Sequence, residues 1–525
     1  MSRVLTLLPI ALLVVGCTGT SGDFNGDGLT DLAVGIPFRD AGIVKDAGAV
    51  QVLYGDAEAG GLSTGKAQLW QRMAPGDKTD ADTLEEPARE AERYGSVLAT
   101  GDFNSDGYGD LAIGVPSETV KGIKDGGTVN VLYGSAAGLR VGGSDRWFQD
   151  KQGIAGKAAP FDLFGYTLAT GDFDGDLFDD LAIGVPLHNI DGFENAGAVN
   201  VLFGAVTGLS AARNQLLHQA ALGIEVKAID HRFGTVLATG DFDGDGLADL
   251  AVGVPQESAI QQKRIGAVNV IYGAAGGFGT RHQVWRQADR FVIGGDTDNS
   301  NDQFGSVLAT GDFDGDGYSD LAVGTPLDDW GARNDSGTVN VLYGGPDGGL
   351  SGDGDQIWHQ NIRDTGLING DGHRYGGALA AADYNGDGFA DLAIGIPGYN
   401  VGVARAGAVH VLYGTARGLG PQGGQLWRKG ENGLPGPALE QENFGITLAA
   451  ADFDNDGLTD LAVGLHGSPV DSTPGAGGVY ILHGSAAGLS AARHRFWDSA
   501  SGGLDDGSGD FYGGALVGAN GGALD

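Results

Sequence analysis

The stretch FGTVLATGDFDGDGLADLAVGVP, Phe233–Pro255, decides the fold. It opens on an aromatic–glycine pair, continues through small and apolar residues, and then sets four aspartates into nine positions: Asp241, Asp243, Asp245 and Asp249. A second apolar run, LAVGVP, ends in proline. Short apolar segments rich in Val, Leu and Ala and bounded by Gly, Pro and Asp are strand chemistry, so the phrase reads as two strands joined by a tight acidic turn. Further out, a variable stretch leads to GAVNVIYG (Gly266–Gly273), a Gly-rich turn and QVWRQ (Gln283–Gln287), which add two more strands. The unit is therefore four strands, A to D in chain order, with no helix-length periodic segment.

The acidic phrase begins at Asp23, Asp102, Asp172, Asp241, Asp312, Asp383 and Asp452, so successive copies lie 69 to 79 residues apart. Seven similar units are the signature of a repeat architecture. A lone four-stranded sheet cannot bury two apolar faces, and the expectation is an all-β, seven-bladed β-propeller of four-stranded blades. Six acidic loops follow a strand A, such as YGSVLATG at Tyr94 or FGITLAAA at Phe444. The first loop has none, because few residues separate Cys17 from Asp23. After the seventh unit stands an orphan, YGGALVGA (Tyr512–Ala519), and Asn520 takes the place where an eighth loop would begin. Residues 512–519 are expected to pair into the first blade as its missing inner strand, removing the two edges an open fan would expose.

A formal charge of −37 on 525 residues disfavours nucleic-acid binding and favours cations. An apolar content of 41% argues against disorder despite 98 glycines. Residues 1–16 read as a signal peptide: Arg3 supplies the basic start, and the apolar run Val4–Val15 is too short to span a bilayer. The following VVGC resembles a bacterial lipobox, which implies a lipid on Cys17, a short tether over 17–22, and an exported protein anchored to the bacterial outer membrane or cell surface. Cys17 is the only cysteine, so no disulfide can stiffen the domain, residues 23–519.

The pairing of FG with GxP around DxDxDG resembles the FG-GAP repeats of the integrin α N-terminal propeller. GVP at Gly114, Gly184 and Gly253, GIP at Gly35 and Gly395, and GTP at Gly324 stand for the family's GAP, while the seventh copy departs with GLH at Gly464–His466. The resemblance covers Asp23 to Ala519. It implies Ca²⁺ held by the loops 23–31, 102–110, 172–180, 241–249, 312–320, 383–391 and 452–460, through side chains at positions 1, 3, 5 and 9 and the carbonyl of position 7. Carried over residue by residue, the ligands are Asp23, Asn25, Asp27, Leu29 and Asp31; Asp102, Asn104, Asp106, Tyr108 and Asp110; and Asp172, Asp174, Asp176, Phe178 and Asp180. The later loops give Asp241, Asp243, Asp245, Leu247 and Asp249; Asp312, Asp314, Asp316, Tyr318 and Asp320; Asp383, Asn385, Asp387, Phe389 and Asp391; and Asp452, Asp454, Asp456, Leu458 and Asp460.

Elementary electrostatics points the same way. Carboxylates crowded into one loop repel one another unless a cation sits among them, and Ca²⁺ accepts six to eight hard oxygens in a flexible shell. An EF-hand would need Glu at position 12 and a following helix, whereas here strand B follows. Up to seven structural ions would staple the hairpins. Asn25, Asn104 and Asn385 lower the charge of their loops, and Leu177 stands where Gly is expected, so the third site is the candidate for distortion.

Strand order puts the A–B and C–D turns on one face and the B–C and D–A connections on the other. The tether joins the acidic face, leaving the other outward with loops such as Phe38–Ala47, Leu327–Ser336 and Lys78–Arg93. Six of seven tryptophans recur at one strand-D position, which is a packing pattern; Leu217 fills it in the third unit. Trp330 is the exception, and with Arg333 it is the candidate for ligand binding. GLSTG (Gly61–Gly65) matches a nucleophile-elbow pattern but sits in an expected C–D turn, without the strand–elbow–helix context. The favoured function is a non-enzymatic adhesion or interaction module that binds a protein, matrix or glycan ligand. The alternatives are a lectin-like propeller and a hydrolase or lyase, of phospholipase-D-like or polysaccharide type, with acids and histidines around the channel.

Overall fold

The computed structural model describes residues 22–57, 61–73, 83–151, 153–224, 229–258, 264–287, 301–346, 348–362, 366–466, 477–498, 512 and 515–517. The signal segment, Cys17, all but the last tether residue, residues 513–514 and 518–519 of the expected closing strand, and Asn520 lie outside the described residues.

Blade two shows the pattern. Strands A (Val97–Gly101), B (Asp110–Val115), C (Thr128–Tyr133) and D (Arg140–Trp147) pair antiparallel in that order. Every residue of B and C is buried, because both faces of the sheet meet neighbouring blades, whereas D forms a half-exposed rim. Blades three to seven repeat the order. Their inner strands, beginning at Leu168, Val236, Val307, Ala378 and Thr447, contact one another in sequence around the axis.

The ring closes through the orphan segment. Ala515–Val517 pairs antiparallel with Leu32–Ile36, opposing Ala33 with Val517 and Gly35 with Ala515. It contacts the inner strands of both blade seven and blade two. Tyr512 is fully buried, and its hydroxyl donates to Gln51 Oε1 at 2.7 Å. Its backbone bridges Gly477 as that of Phe444 bridges Gly407, so it takes the place of the aromatic in FG.

The FG and GxP glycines lie where adjacent blades touch. A Cβ on Gly253 of blade four would stand 2.2 Å from the carbonyl oxygen of Gly305 in blade five, and Gly114 meets Gly165 of the next blade at 2.3 Å. Any side chain there would force the blades apart. The motif is thus the contact between repeats.

Two expectations need correction. Lys78–Arg93 is not wholly a loop: Thr83–Pro87 adds a fifth, parallel strand outside strand D of blade one. That strand D runs from Gly61 to Met73, past Trp70, and its extra length offers an edge to pair with. By the same extension Gly61–Gly65 opens strand D instead of forming a turn, with Ser63 opposite Tyr54.

Candidate functional site

Loop four shows how the acidic turn is built. Asp241 Oδ1 accepts from the backbone N–H of Gly244 (2.7 Å) and Asp245 (3.1 Å), and its Oδ2 accepts from Gly246 (2.9 Å). Asp245 Oδ1 takes the N–H of Leu247 at 3.0 Å. Gly246 has φ +84°, the left-handed conformation that brings the later ligand positions inward. In loop three Leu177 adopts this conformation, at φ +69°, and its N–H still reaches Asp172 Oδ2 at 2.9 Å. The turn therefore forms despite the side chain, at a cost of about 1 kcal/mol.

Position 9 ties the loop to the blade. Asp249 Oδ2 accepts from Phe242 N–H (2.9 Å), and Oδ1 accepts from Gly273 N–H (2.8 Å) at the end of strand C. All seven aspartates at this position are fully buried. Burial pushes Asp31, Asp110, Asp180, Asp249, Asp320 and Asp391 up to about 8, against the downward pull of two backbone N–H groups; neighbouring loop carboxylates push the same way as burial.

The donor set fits a hard cation. Asp241, Asp243 and Asp249 each present an oxygen within 4.8 Å of the others, as do Asp172, Asp174 and Asp180, Asp312, Asp314 and Asp316, and Asp452, Asp454 and Asp456. Asp174 Oδ1 and Asp454 Oδ1 are buried and accept no hydrogen bond. The position-7 carbonyls take no backbone hydrogen bond among the described residues. Asn25, Asn104 and Asn385 accept from the N–H of position 5 at 2.8 to 2.9 Å, so their side-chain oxygens serve the loop as Asp243 does.

The loops are stitched blade to blade from the first to the seventh, which the sequence did not disclose. Gly109 N–H donates to Asp23 O (2.8 Å) and Ser135 N–H to Phe24 O (3.2 Å), from blade two to blade one, and the pattern recurs from blade to blade. The glutamines two positions before the tryptophans also bridge blades: Gln425 Nε2 donates to Leu489 O at 3.0 Å. Arg495 holds that position in blade seven and reaches Leu62 O of blade one at 2.8 Å. Three other arginines, Arg213, Arg281 and Arg493, pair with the loop carboxylates Asp174, Asp243 and Asp454. Only their register, four positions before Trp or Leu217, could have signalled them.

The opposite face holds two hollows. One, of about 170 Å³, lies on the axis, lined from five successive blades by Tyr166, Pro186, Pro255, Pro326, Arg374 and Ile446 among others; among the described residues no carboxylate or imidazole lines it. The other is an open pocket of about 440 Å³ in blade five, where Trp330 and Arg333 come together with Asn361, Leu367, Ile368 and Asn369. Trp330 is half-buried, with its ring stacked 3.9 Å from that of His359. Arg333 is 3.5 Å from Asp371. Asp328, two residues before Trp330, is fully buried, accepting from Gln287 Nε2 of blade four at 2.8 Å. Trp70, Trp147, Trp358 and Trp427 are buried, as a packing role requires.

With both faces described, the relatives can be set beside them. The profile of the FG-GAP repeat matches residues 18–53, 94–132, 164–202, 233–271, 304–342, 375–412 and 444–482. This chain belongs to the FG-GAP repeat family. Integrin alpha-PS2 of Drosophila melanogaster is 33% identical over 249 residues, covering 46% of this chain and 16% of that protein. Phosphatidylinositol-glycan-specific phospholipase D of Rattus norvegicus is 36% identical over 189 residues, covering 36% of this chain and 21% of that enzyme. The matches thus span about a fifth or less of these relatives. The V. cholerae biofilm matrix protein Bap1 overlays with a TM-score of 0.23 at 10% identity, covering 86% of this chain and 84% of that one. At that level the likeness carries no argument.

Proposed function

We propose that this FG-GAP propeller is a calcium-stabilised interaction module, without catalysis, that is exported, lipid-anchored through Cys17, and recognises a protein partner with the face opposite its acidic loops. The observation that carries the reading is the separation of tasks between faces. One face repeats an oxygen-rich loop in every blade and bonds loops one to six to the next blade. The other carries a pocket in blade five with an aromatic ring, a guanidinium and two amides. Residues at positions 1, 3, 5, 7 and 9 of each loop would hold Ca²⁺, which would supply the positive charge that the buried carboxylates lack.

The lectin alternative draws on the same pocket, because Trp330 with Asn361 and Asn369 is also suited to a sugar ring and its hydroxyls. One experiment separates the readings. The full chain is offered to intact cells, with and without chelator, before and after enzymatic deglycosylation, with Trp330→Ala as control. Calcium-dependent, Trp330-dependent binding that survives deglycosylation supports a protein partner. Binding abolished by deglycosylation supports the lectin, and binding indifferent to Trp330→Ala overturns the assignment of this face.

A further inference from the structure

The seven loops are not equivalent in charge, and the difference is written in strand D. The residue four places before the strand-D tryptophan, or before Leu217, is Lys66, Gly143, Arg213, Arg281, Gly354, Gly423 and Arg493 in blades one to seven. Position 3 of the loops reads Asn25, Asn104, Asp174, Asp243, Asp314, Asn385 and Asp454 in the same order. Arginine stands in each case beside an aspartate. Glycine faces asparagine in blades two and six, and Lys66 of blade one makes no ion pair among the described residues. Blade five breaks the match, with Asp314 opposite a glycine.

The arginines reach the carboxylates a metal would use. Arg213 lies 2.7 Å from Asp174 and 3.3 Å from Asp176, and its guanidinium sits over the ring of Phe203 at 4.9 Å. Arg281 pairs with Asp243 above the ring of Tyr272. Arg493 lies 2.8 Å from both Asp454 and Asp456, and there His483 Nδ1 adds a contact of 3.1 Å to Asp454. Each guanidinium is half-exposed and paired with a ligand carboxylate, so a cation entering loops three, four or seven has to displace it, a cost the asparagine loops do not carry. Counting the carboxylates at ligand positions 1, 3, 5 and 9 with each loop's own arginine, and leaving aside Asp179 at position 8 of loop three, which accepts from Asp102 N–H of blade two, six sites carry the same net charge of −3. Loop five, with Asp312, Asp314, Asp316 and Asp320 and no such partner, carries −4.

We infer that this strand-D position ranks the loops for divalent cations: Arg213, Arg281 and Arg493 are built-in counter-ions that make loops three, four and seven the weakest, and loop five is the tightest. The inference rests on the calcium reading above and deepens it. It also reverses the order suggested by loop composition alone, in which an asparagine at position 3 marks the weaker sites.

Terbium alone, as a Ca²⁺ surrogate, tests it on the chelator-treated full chain, because Tyr318 sits at position 7 of loop five with its ring against Gly244 of loop four and can sensitise a lanthanide in either, and Asp314→Asn tells the two apart. The first equivalent of Tb³⁺ should give luminescence that Tyr318→Leu removes, and Asp314→Asn should weaken that first site about tenfold. Both residues already occupy the matching positions of other loops, so the variants should fold. The triple variant R213Q/R281Q/R493Q should tighten the weakest class about twofold to fivefold, the size expected of an exposed ion pair. It should also lower the melting temperature of the metal-free chain while leaving the first equivalent unchanged. Seven sites of uniform affinity, or a weak class indifferent to the triple variant, would overturn this ranking and leave calcium binding intact. No binding of Tb³⁺ or Ca²⁺ at millimolar concentration would remove both.

Discussion

The two faces of the disc are made from the same blades and obey different rules. On the acidic face, every A–B turn repeats one hydrogen-bond pattern, and the first six each accept a bond from the next blade. On the other face, the B–C connections repeat a backbone frame, with Gly127 N–H on Glu118 O as Gly337 N–H is on Asp328 O, and four of them a small bridge such as Val120 with Ile123 or Trp330 with Arg333, but they differ in the side chains they carry. The buried aspartate at position 9 explains the contrast. A carboxylate that accepts two backbone N–H groups in the interior cannot be exchanged without orphaning both, so that end of the blade is fixed. The B–C end is anchored below the surface, by Glu118 on Arg72 or Asp328 on Gln287, and its tips are free to vary. Fastening and recognition can therefore be separated within one repeat.

Four changes probe that separation. The largest effect should come from what both faces share. Tyr512→Ala empties a fully buried aromatic site next to the closing strand and should cost about 3–5 kcal/mol, read in chemical denaturation. An unchanged midpoint would show that the disc does not need its latch. Next, Asp249→Ala strips the acceptor from Phe242 N–H and Gly273 N–H and should cost about 3 kcal/mol, with ligand binding by the folded fraction unaffected. Chelation should then lower the melting temperature reversibly, each ion contributing about 2.7 kcal/mol at a hundredfold excess over its dissociation constant. Trp330→Ala belongs to the other face: it should leave the melting temperature within a degree or two and weaken partner binding about tenfold. If it unfolds the protein instead, Trp330 is a packing residue and the faces are less distinct than drawn.

The smallest effect concerns a pH response inside blade six. His410 stands where blades two to five have Asn130, Asn200, Asn269 and Asn340. Burial pushes its imidazole down to about 4, and Nδ1 lies 3.0 Å from the Tyr375 hydroxyl. The folded chain then binds fewer protons here than the unfolded chain between about 4 and 6.5. Stability from this residue is complete above 6.5 and drains away as the pH falls through that window, by at most about 3 kcal/mol at 1.4 kcal/mol per unit. His410→Asn should flatten that part of the stability–pH curve and leave neutral-pH stability nearly as it was.

The blades, their number and the orphan closing strand could all be read from residues, because each rests on local pattern: alternating turns, short apolar runs, an aromatic–glycine pair without its acidic loop. The acidic loops were readable for the same reason, down to the left-handed glycines. What escaped was set by register between distant strands. Nothing near Asp174 announces Arg213, and nothing near Gln425 announces the carbonyl of Leu489 in the next blade. The FG and GxP glycines could be recognised as a motif, yet their reason, backbone pressed on backbone across two blades, exists only once the repeats are stacked. The fifth strand of blade one followed from the length of its neighbour, and Asp328 went inward because Gln287 of another blade was waiting for it.

The segment Ala515–Val517 gives the molecule an order of assembly. The first blade is translated before the six that follow, and it is completed only by a segment translated after them. Until then Leu32–Ile36 presents a bare row of amides toward the axis, and the other blades have no fixed circumference to settle into. Chains that stop before residue 515 therefore share one defect, an open seam between the first blade and the seventh.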